Sequence, residues 1–269
     1  MGEETVAAPS EVRLRTFVKC LWSFRSDHPA TLPGIVVPDA HVEFVVHLGR
    51  PWAMASNDAP LASQPQMFLM AQSQGSLRFA PAGPSDLVAF RTNAAGATAL
   101  VGPRLVELWD TPVPLEELWG ARAWALHQEL SAAATPRGRF RVLERFLANS
   151  FAGTGGETLR SAQLLEETML ASPGASIGDI AARFGMGLRT MERRYSRFVG
   201  LPPQRVHTIA RLLHACHLIR TARDLDLGAV AHRAGFYDHA SFSNRFRELV
   251  GCSPSRFRAM EDVHYVELG

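Results

Sequence analysis

"AGFYDHASFSNRFRELVG" (residues 234–251) restates in other residues "RFGMGLRTMERRYSRFVG" (residues 183–200). Ile177 aligns with Leu227, Ala181 with Ala231 and Gly185 with Gly235, each pair 50 residues apart. One residue enters after the glycine. Met191 then aligns with Phe242, Tyr195 with Phe246, Gly200 with Gly251 and Pro203 with Pro254, each 51 apart. Both copies read as a short helix, a glycine turn, a second helix and Gly-x-x-Pro.

That order is the helix-turn-helix layout. Small Ala181 and Ala231 let the two helices of a unit cross closely. Gly185 and Gly235 stand where the first helix must stop and reverse, a place that favours φ > 0. Asp238 is positioned to cap the second helix of the second copy. On that helix Phe242, Phe246 and Leu249 form an apolar stripe, and Leu188, Met191, Tyr195 and Phe198 form its counterpart in the first copy. The aromatics are expected to hold each helix on its own domain and leave the opposite face free.

At about 100° per residue the opposite face can be assigned. Arg193 points furthest from the first stripe, flanked by Arg189, Thr190, Ser196 and Arg197. Asn244 points furthest from the second, with Ala240 and Arg247 beside it. Arg193 and Asn244 are equivalent under the 51-residue offset. Arginine suits guanine O6 and N7, and asparagine suits adenine N6 and N7. Arg194, Arg197, Arg245 and Arg247 are placed for phosphates, and His239 and Ser243 complete the candidate set. "PPQRVHTIARLLHACHLIRTAR" between the units supports a helix of about 20 residues, ~30 Å long, against ~34 Å between successive major grooves. Leu212, Leu213, Cys216 and Ile219 are expected to pack it against both lobes.

Charge follows the same division. Residues 170–258 hold 14 arginines and six acidic residues, a net +8, within a chain of net +2, so the rest carries −6. A basic C-terminal third points to a polyanion for that part alone. Lys19 is the sole lysine. Cys20, Cys216 and Cys252 are scattered, with no CxxC, and read as reduced thiols. No stretch approaches the ~18 apolar residues of a membrane helix, and "MGEETVAAPSEVRLR" has no signal-peptide run. The expected location is the cytoplasm, at the nucleoid.

"FAGTGGE" (151–157) is the linker candidate. It gives an expected division into 1–155, β-rich to about 110 and helical over 114–152, and 156–269. The second part holds one unit at 176–200, a linking helix at 203–223 and a second unit at 226–251. In the front part "RTFVKCLWSFR" (15–25) has a β composition, and "HVEFVVHLG" (41–49) alternates. Val42, Phe44, Val46 and Leu48 share one face; His41, Glu43, Val45 and His47 share the other. "QMFLMAQ", "SLRFA" and "DLVAFRT" follow, and short strands at such intervals favour a barrel or sandwich. "LEELWGARAWALHQELSAAA" and "PRGRFRVLERFLANSF" read as two helices, striped by Leu126 and Leu130 and by Phe140, Leu143 and Leu147. Trp109, Trp119 and Trp124 are expected to pack these helices or a dimer seam.

On the motifs "SIGDIAARFGMGLRTMERRYSRFVGLPP" and "LGAVAHRAGFYDHASFSNRFRELVGCSPSRFR", residues 158–258 resemble the AraC/XylS family of bacterial transcription regulators. Asn244 stands where that family usually has arginine, and Val230 and Arg247 replace its isoleucine and lysine. The resemblance implies an all-α C-terminal domain of two helix-turn-helix subdomains joined by a long helix. The implied partners are promoter DNA, a small-molecule effector, RNA polymerase and a second copy in a homodimer. "LWSF" and "IVVPDAHVEFVVHLG" are similar to an uncharacterised N-terminal domain often fused to such regulators. Pro38, Asp39 and Glu43 fit its pattern; Ala40 and His41 depart. That likeness implies a sensing and dimerising domain, often a cupin-like barrel. Trp22, Asp39, His41 and Glu43 are its ligand-binding candidates.

No catalytic residue, cofactor or metal is expected. His41, Glu43 and His47 share a strand face, but one strand rarely completes a metal's ligand set. His232, His239 and His264 are dispersed. There is no Gly-x-Ser-x-Gly elbow and no Walker-type loop, since "GTGGE" lacks the lysine. The sequence-level alternative is a metal-dependent cupin-like enzyme with a helical targeting domain; a scaffold that binds protein through its basic helices is a third reading.

Overall fold

A computed structural model describes the chain except residues 1, 29–36, 38, 57–58, 72–74, 76, 103–104, 106–107, 109–110, 155–156, 200–201 and 261–269, and the side chains of 157–159 and 197–199. The expectations for Pro38, Trp109, Arg197, Phe198, Gly200 and His264 therefore lie outside the described residues or side chains. In chain order the elements are β1 (Glu3–Ala7), β2 (Val18–Ser26), β3 (Val42–His47), β4 (Ala53–Ser56), β5 (Ala62–Ser63), β6 (Met67–Met70), β7 (Leu77–Ala80) and β8 (Ser85–Thr92). Then come α1 (Ala94–Val101), β9 (Pro112–Pro114), α2 (Leu115–Trp119), α3 (Ala121–Ala132) and α4 (Pro136–Ser150). The remainder is helical: α5 (Glu157–Ala171), α6 (Ile177–Arg183), α7 (Leu188–Val199), α8 (Pro203–Thr221), α9 (Leu227–Arg233), α10 (His239–Val250) and α11 (Pro254–Ala259).

The strands form a six-stranded sheet, ordered β1-β2-β8-β3-β6-β9, and a three-stranded sheet, ordered β5-β4-β7. All pairs are antiparallel. Neither sheet closes on itself among the described residues, so the arrangement is layered and only approximates a barrel or sandwich. One face of the large sheet, through Val42, Phe44, Val46, Val88 and Phe90, packs on Leu115, Leu126, Leu130, Leu143 and Leu147 of the helices. The other face, through Val45, Phe68, Met70, Leu87 and Ala89, packs on Trp52, just before β4, and on Met54 and Leu77 of the small sheet. β3 is thus covered on both sides, which is why its second face carries Val45 and the buried His47 as well as polar residues. Arg139 of α4 ties the helical layer to β8 through two hydrogen bonds to Asp86, at 2.5 and 2.9 Å.

Two features depart from the sequence reading. Residues 94–101 are a helix where strands and turns were expected, and the Asn93 side chain caps it by accepting from the Gly96 N–H at 2.8 Å. The helix expected over 115–134 is broken at Gly120, whose φ of 57° ends α2 before α3 begins. Trp119 stacks on Phe44, whereas Trp124 is an exposed large side chain of α3.

The C-terminal helices share a second core around α8. Val206, Ile209, Leu212, Leu213, Cys216 and Ile219 are all buried, so the helix is apolar on more than one face, as a connector between two lobes must be. Val37, Ala40 and Ala94 of the front half also enter this core. The joint is polar at one point. Glu166 of α5, 1% exposed, accepts from the Ala94 N–H at the start of α1, at 3.2 and 3.3 Å. Burial raises its carboxyl pKa to about 7, against opposition from His41 and from that N–H. Among the described residues no helix is long and apolar enough to cross a membrane.

Glu166 makes stability depend on pH. Its folded pKa lies above the unfolded value, so the folded state binds more protons between about pH 4.5 and 7. The contribution is present below that window and is lost as pH rises through it. Glu166→Gln is expected to flatten that part of a chemical-denaturation profile and to raise stability at pH 8, by up to about 3 kcal/mol at 1.36 kcal/mol per unit. The two turn glycines are expected to differ. Gly185 and Gly235 have φ of 63° and 84°, but a Cβ at Gly185 meets open space, whereas one at Gly235 lies 3.1 Å from the Pro173 carbonyl oxygen. Gly185→Ala should cost roughly 1–2 kcal/mol for the left-handed backbone alone, and Gly235→Ala measurably more in the same denaturation assay.

Candidate nucleic-acid interface

The repeat extends to backbone hydrogen bonds. Ser176 caps α6 by accepting from the Asp179 N–H at 3.0 Å, and Asp179 returns a bond to the Ser176 N–H at 3.3 Å, a capping box. Fifty residues on, Asp226 caps α9 by accepting from Ala229 N–H at 2.8 Å. In the first turn Met186 N–H reaches the Ala181 carbonyl at 3.0 Å; in the second Phe236 N–H reaches the Ala231 carbonyl at 3.0 Å. Asp238 caps α10 through the Ser241 N–H at 2.7 Å, as its position predicts. The third helix of each unit also repeats: α8 starts at Pro203 and α11 at Pro254.

Each second helix is held by its apolar stripe. Met191 and Tyr195 of α7 and Phe242 and Phe246 of α10 are each 0% exposed, and Leu249 is buried beside them. Phe246 meets Phe242 edge-on at 5.5 Å and Phe257 of α11 at 5.3 Å. Leu188 corrects the expected first stripe. It is 42% exposed, because the first residue of α7 lies at the rim of the core.

The faces opposite these stripes are open. On α7, Arg189, Arg193 and Arg194 are exposed, and Thr190 and Ser196 are half-buried. On α10, His239, Ala240, Asn244, Arg245 and Arg247 are exposed and Ser243 is half-buried. Among the described residues no carboxylate pairs with Arg189, Arg193, Arg194 or Arg247. Arg245 pairs with Glu248 at 2.8 Å, and Arg194 lies 3.8 Å from the Met186 sulfur. An exposed pair of that kind is worth little, yet it leaves Arg247 as the freer phosphate candidate on α10. The sequence reading passed over Tyr237, which is 99% exposed in the turn before Asp238. The signal was available: the residue that changes the offset from 50 to 51 falls in this turn.

In the front half, Trp22, Asp39, His41 and Glu43 come together around Arg91, a residue not singled out from sequence. Arg91 Nε donates to Glu43 at 2.7 Å, and its Nη1 lies 3.4 Å from Asp39. Trp22 Nε1 also donates to Glu43, and the His41 N–H donates to Asp39 at 3.0 Å. Burial pushes the Asp39 carboxyl up, but Arg91 and the His41 bonds hold it below its ordinary value. Burial likewise opposes the Arg91 charge, and Glu43 and Asp39 outweigh it. β3 and β8 place Glu43 opposite Arg91, so the pairing follows from register. These polar groups are largely committed to one another. His47 is separate: its Nε2 lies 2.8 Å from Gln64 Oε1, and burial lowers its pKa to about 4. The three cysteines are free thiols, and burial raises Cys20 to about 11.

Residues 167–260 match the model of a helix-turn-helix domain family, and residues 6–114 match a domain of unknown function, DUF6597. The chain is 40% identical over 84 residues to the HTH-type transcriptional activator RhaS of Escherichia fergusonii, covering 31% of this chain and 30% of that protein. It is 38% identical over 85 residues to RhaS of Klebsiella pneumoniae, covering 32% and 30%. The match thus spans less than a third of the relatives' own length. Among solved structures, ToxT from Vibrio cholerae aligns over 96% of this chain and 97% of its own, with 9% identity and a TM-score of 0.42. A probable AraC family transcriptional regulator from Rhodopseudomonas palustris aligns over 37% and 94%, with 24% identity and a TM-score of 0.34. Two helix-turn-helix units around one connecting helix, with a separate domain in front, agree with the AraC/XylS resemblance of the C-terminal sequence, and over residues 167–260 the chain belongs to a helix-turn-helix domain family.

Proposed function

We propose that this protein is a cytoplasmic, sequence-specific DNA-binding regulator of transcription, with no catalytic role, whose front domain responds to a small molecule. The observation that carries the reading is the equivalence of Arg193 and Asn244. Both are exposed, and both lie opposite buried stripes on the second helices of repeated units. Each offers the side chain suited to one base edge, a guanine for Arg193 and an adenine for Asn244. The 19 residues of α8 span about 28 Å at 1.5 Å each, somewhat short of the ~34 Å between grooves. Placing both helices in adjacent grooves therefore calls for a modest bend of the duplex. The relatives named as transcriptional activators support the same assignment.

The front half reaches the first unit through α1, which packs on α5 and α7. In this reading an effector acts by altering that contact, and so changes how the first recognition helix is presented.

Binding measurements on selected DNA test the assignment. Arg193→Ala should weaken binding to the preferred site by ~1–3 kcal/mol and relax choice at one base pair. Asn244→Ala should do the same about one helical turn away. Arg247→Ala should weaken binding to all sequences alike and reduce the salt slope by about one. If both Arg193→Ala and Asn244→Ala leave affinity and sequence preference unchanged, the proposal fails.

A further inference from the structure

We infer that Tyr237 is a further sequence-reading residue, whose ring lies against the 5-methyl group of a thymine within about three base pairs of the base met by Asn244. The inference rests on the reading that α10 enters the major groove, and it gives the second unit a contact that the first unit lacks.

Tyr237 is the inserted residue of the repeat. The Met186 N–H reaches the Ala181 carbonyl and the Phe236 N–H reaches the Ala231 carbonyl, so Met186 and Phe236 are equivalent, 50 residues apart. The Met191 N–H donates to the Gly187 carbonyl at 3.0 Å and the Phe242 N–H to the Asp238 carbonyl at 3.1 Å, so Gly187 and Asp238 are equivalent, 51 apart. Met186 and Gly187 are adjacent, whereas Tyr237 stands between their counterparts. The first unit offers no side chain at this place, since Gly187 has none and open space surrounds it.

The backbone on both sides of Tyr237 is fixed. Phe236 is held by its bond to Ala231, at 3.0 Å, and by its ring on Phe242, with 5.2 Å between centroids. Asp238 is held by capping α10 through the Ser241 N–H at 2.7 Å. Between these anchors Tyr237 is the least covered of the large apolar side chains among the described residues. It is presented to the outside by a rigid turn.

Its surroundings select the ligand. The N-terminal residues of a recognition helix are the ones that meet base edges. At this end of α10 the His239 ring lies edge-on to Phe242, with 6.3 Å between centroids, and Ala240 is short, so Tyr237 supplies the reach. The residues on either side carry no positive charge: Phe236 is apolar, and the Asp238 carboxylate is committed to the cap. A phosphate is poorly matched beside that carboxylate, and Arg245 and Arg247 further along α10 are the cations for it. An uncharged aromatic face suits an uncharged apolar group, and in the major groove that group is the thymine methyl. Tyr237 and Asn244 are seven positions apart. At ~1.5 Å each this is ~10 Å, or about three base pairs at ~3.4 Å.

The test uses the full chain and the duplex it selects from random sequence, with uracil placed for thymine one position at a time. Within about three base pairs of the position whose choice Asn244→Ala relaxes, one uracil should weaken wild-type binding about 4-fold, the value of one buried apolar carbon. Tyr237→Ala should bind thymine and uracil equally there and lose at least about 4-fold on the thymine site. Tyr237→Phe, which keeps the ring, should retain the wild-type difference. Both variants should unfold at the wild-type temperature, because the side chain they change is exposed. No methyl-sensitive thymine in that window, a difference that survives Tyr237→Ala, or one that Tyr237→Phe abolishes (the mark of a hydroxyl on phosphate) overturns the inference. If Asn244→Ala relaxes its position while Tyr237→Ala leaves the uracil difference unchanged, this inference alone is overturned; if no site is selected, the regulator reading falls with it.

Discussion

The architecture depends on two buried stripes, Met191 with Tyr195 and Phe242 with Phe246. Each large side chain removed from water contributes roughly 1.5–3 kcal/mol. Their more important effect is rotational. A helix pinned along one line has its opposite face fixed, and here that line turns Arg193 and Asn244 outward. The caps at Ser176, Asp226 and Asp238 set where each helix starts, and Gly185 and Gly235 set the reversal before it. α8 then enters the shared core of both units, so the second helices α7 and α10 are referred to one element.

The front half is attached to this device at a specific place. α1 lies between the large sheet and the helices α5 and α7, and its first backbone N–H is received by the buried Glu166 carboxylate. Ala94 contributes to the same core as Met191 and Tyr195. A change in the front half therefore has a short physical route to α7 through packed side chains and the Glu166 hydrogen bond. The equivalent helix of the second unit, α10, is not among the elements that α1 packs against most. The two units thus differ in their coupling to the front half even though their internal structure repeats.

Much of the helical half was legible because local signals agree there: period, glycine turn and spacing recur twice, 50 residues apart before the turn and 51 after it. The exception is Leu188, where an ideal periodicity was carried one turn past the end of the core. The front half was less legible, for physical reasons. A strand covered on both faces, such as β6 with all four residues buried, loses the clean polar alternation that marks a half-exposed strand. α1 is half alanine, with one glycine and one threonine, and has no apolar stripe, so its only signal was the Asn93 cap. The break at Gly120 was visible as a glycine but not as a positive φ. Arg91 could not be placed beside Glu43 until the register of β3 and β8 was known. The joint at Glu166 had no sequence signature, because an acid in an amphipathic helix ordinarily faces water and here faces another part of the chain.

The most direct measurement is hydroxyl-radical footprinting of the full chain on DNA selected from random sequence, at low ionic strength. Two protected segments on one face of the duplex, about one helical turn apart, are predicted, with protection lost steeply as salt rises. A single protected segment, or an absence of protection even at low salt, would contradict the picture of two pinned helices reading neighbouring grooves.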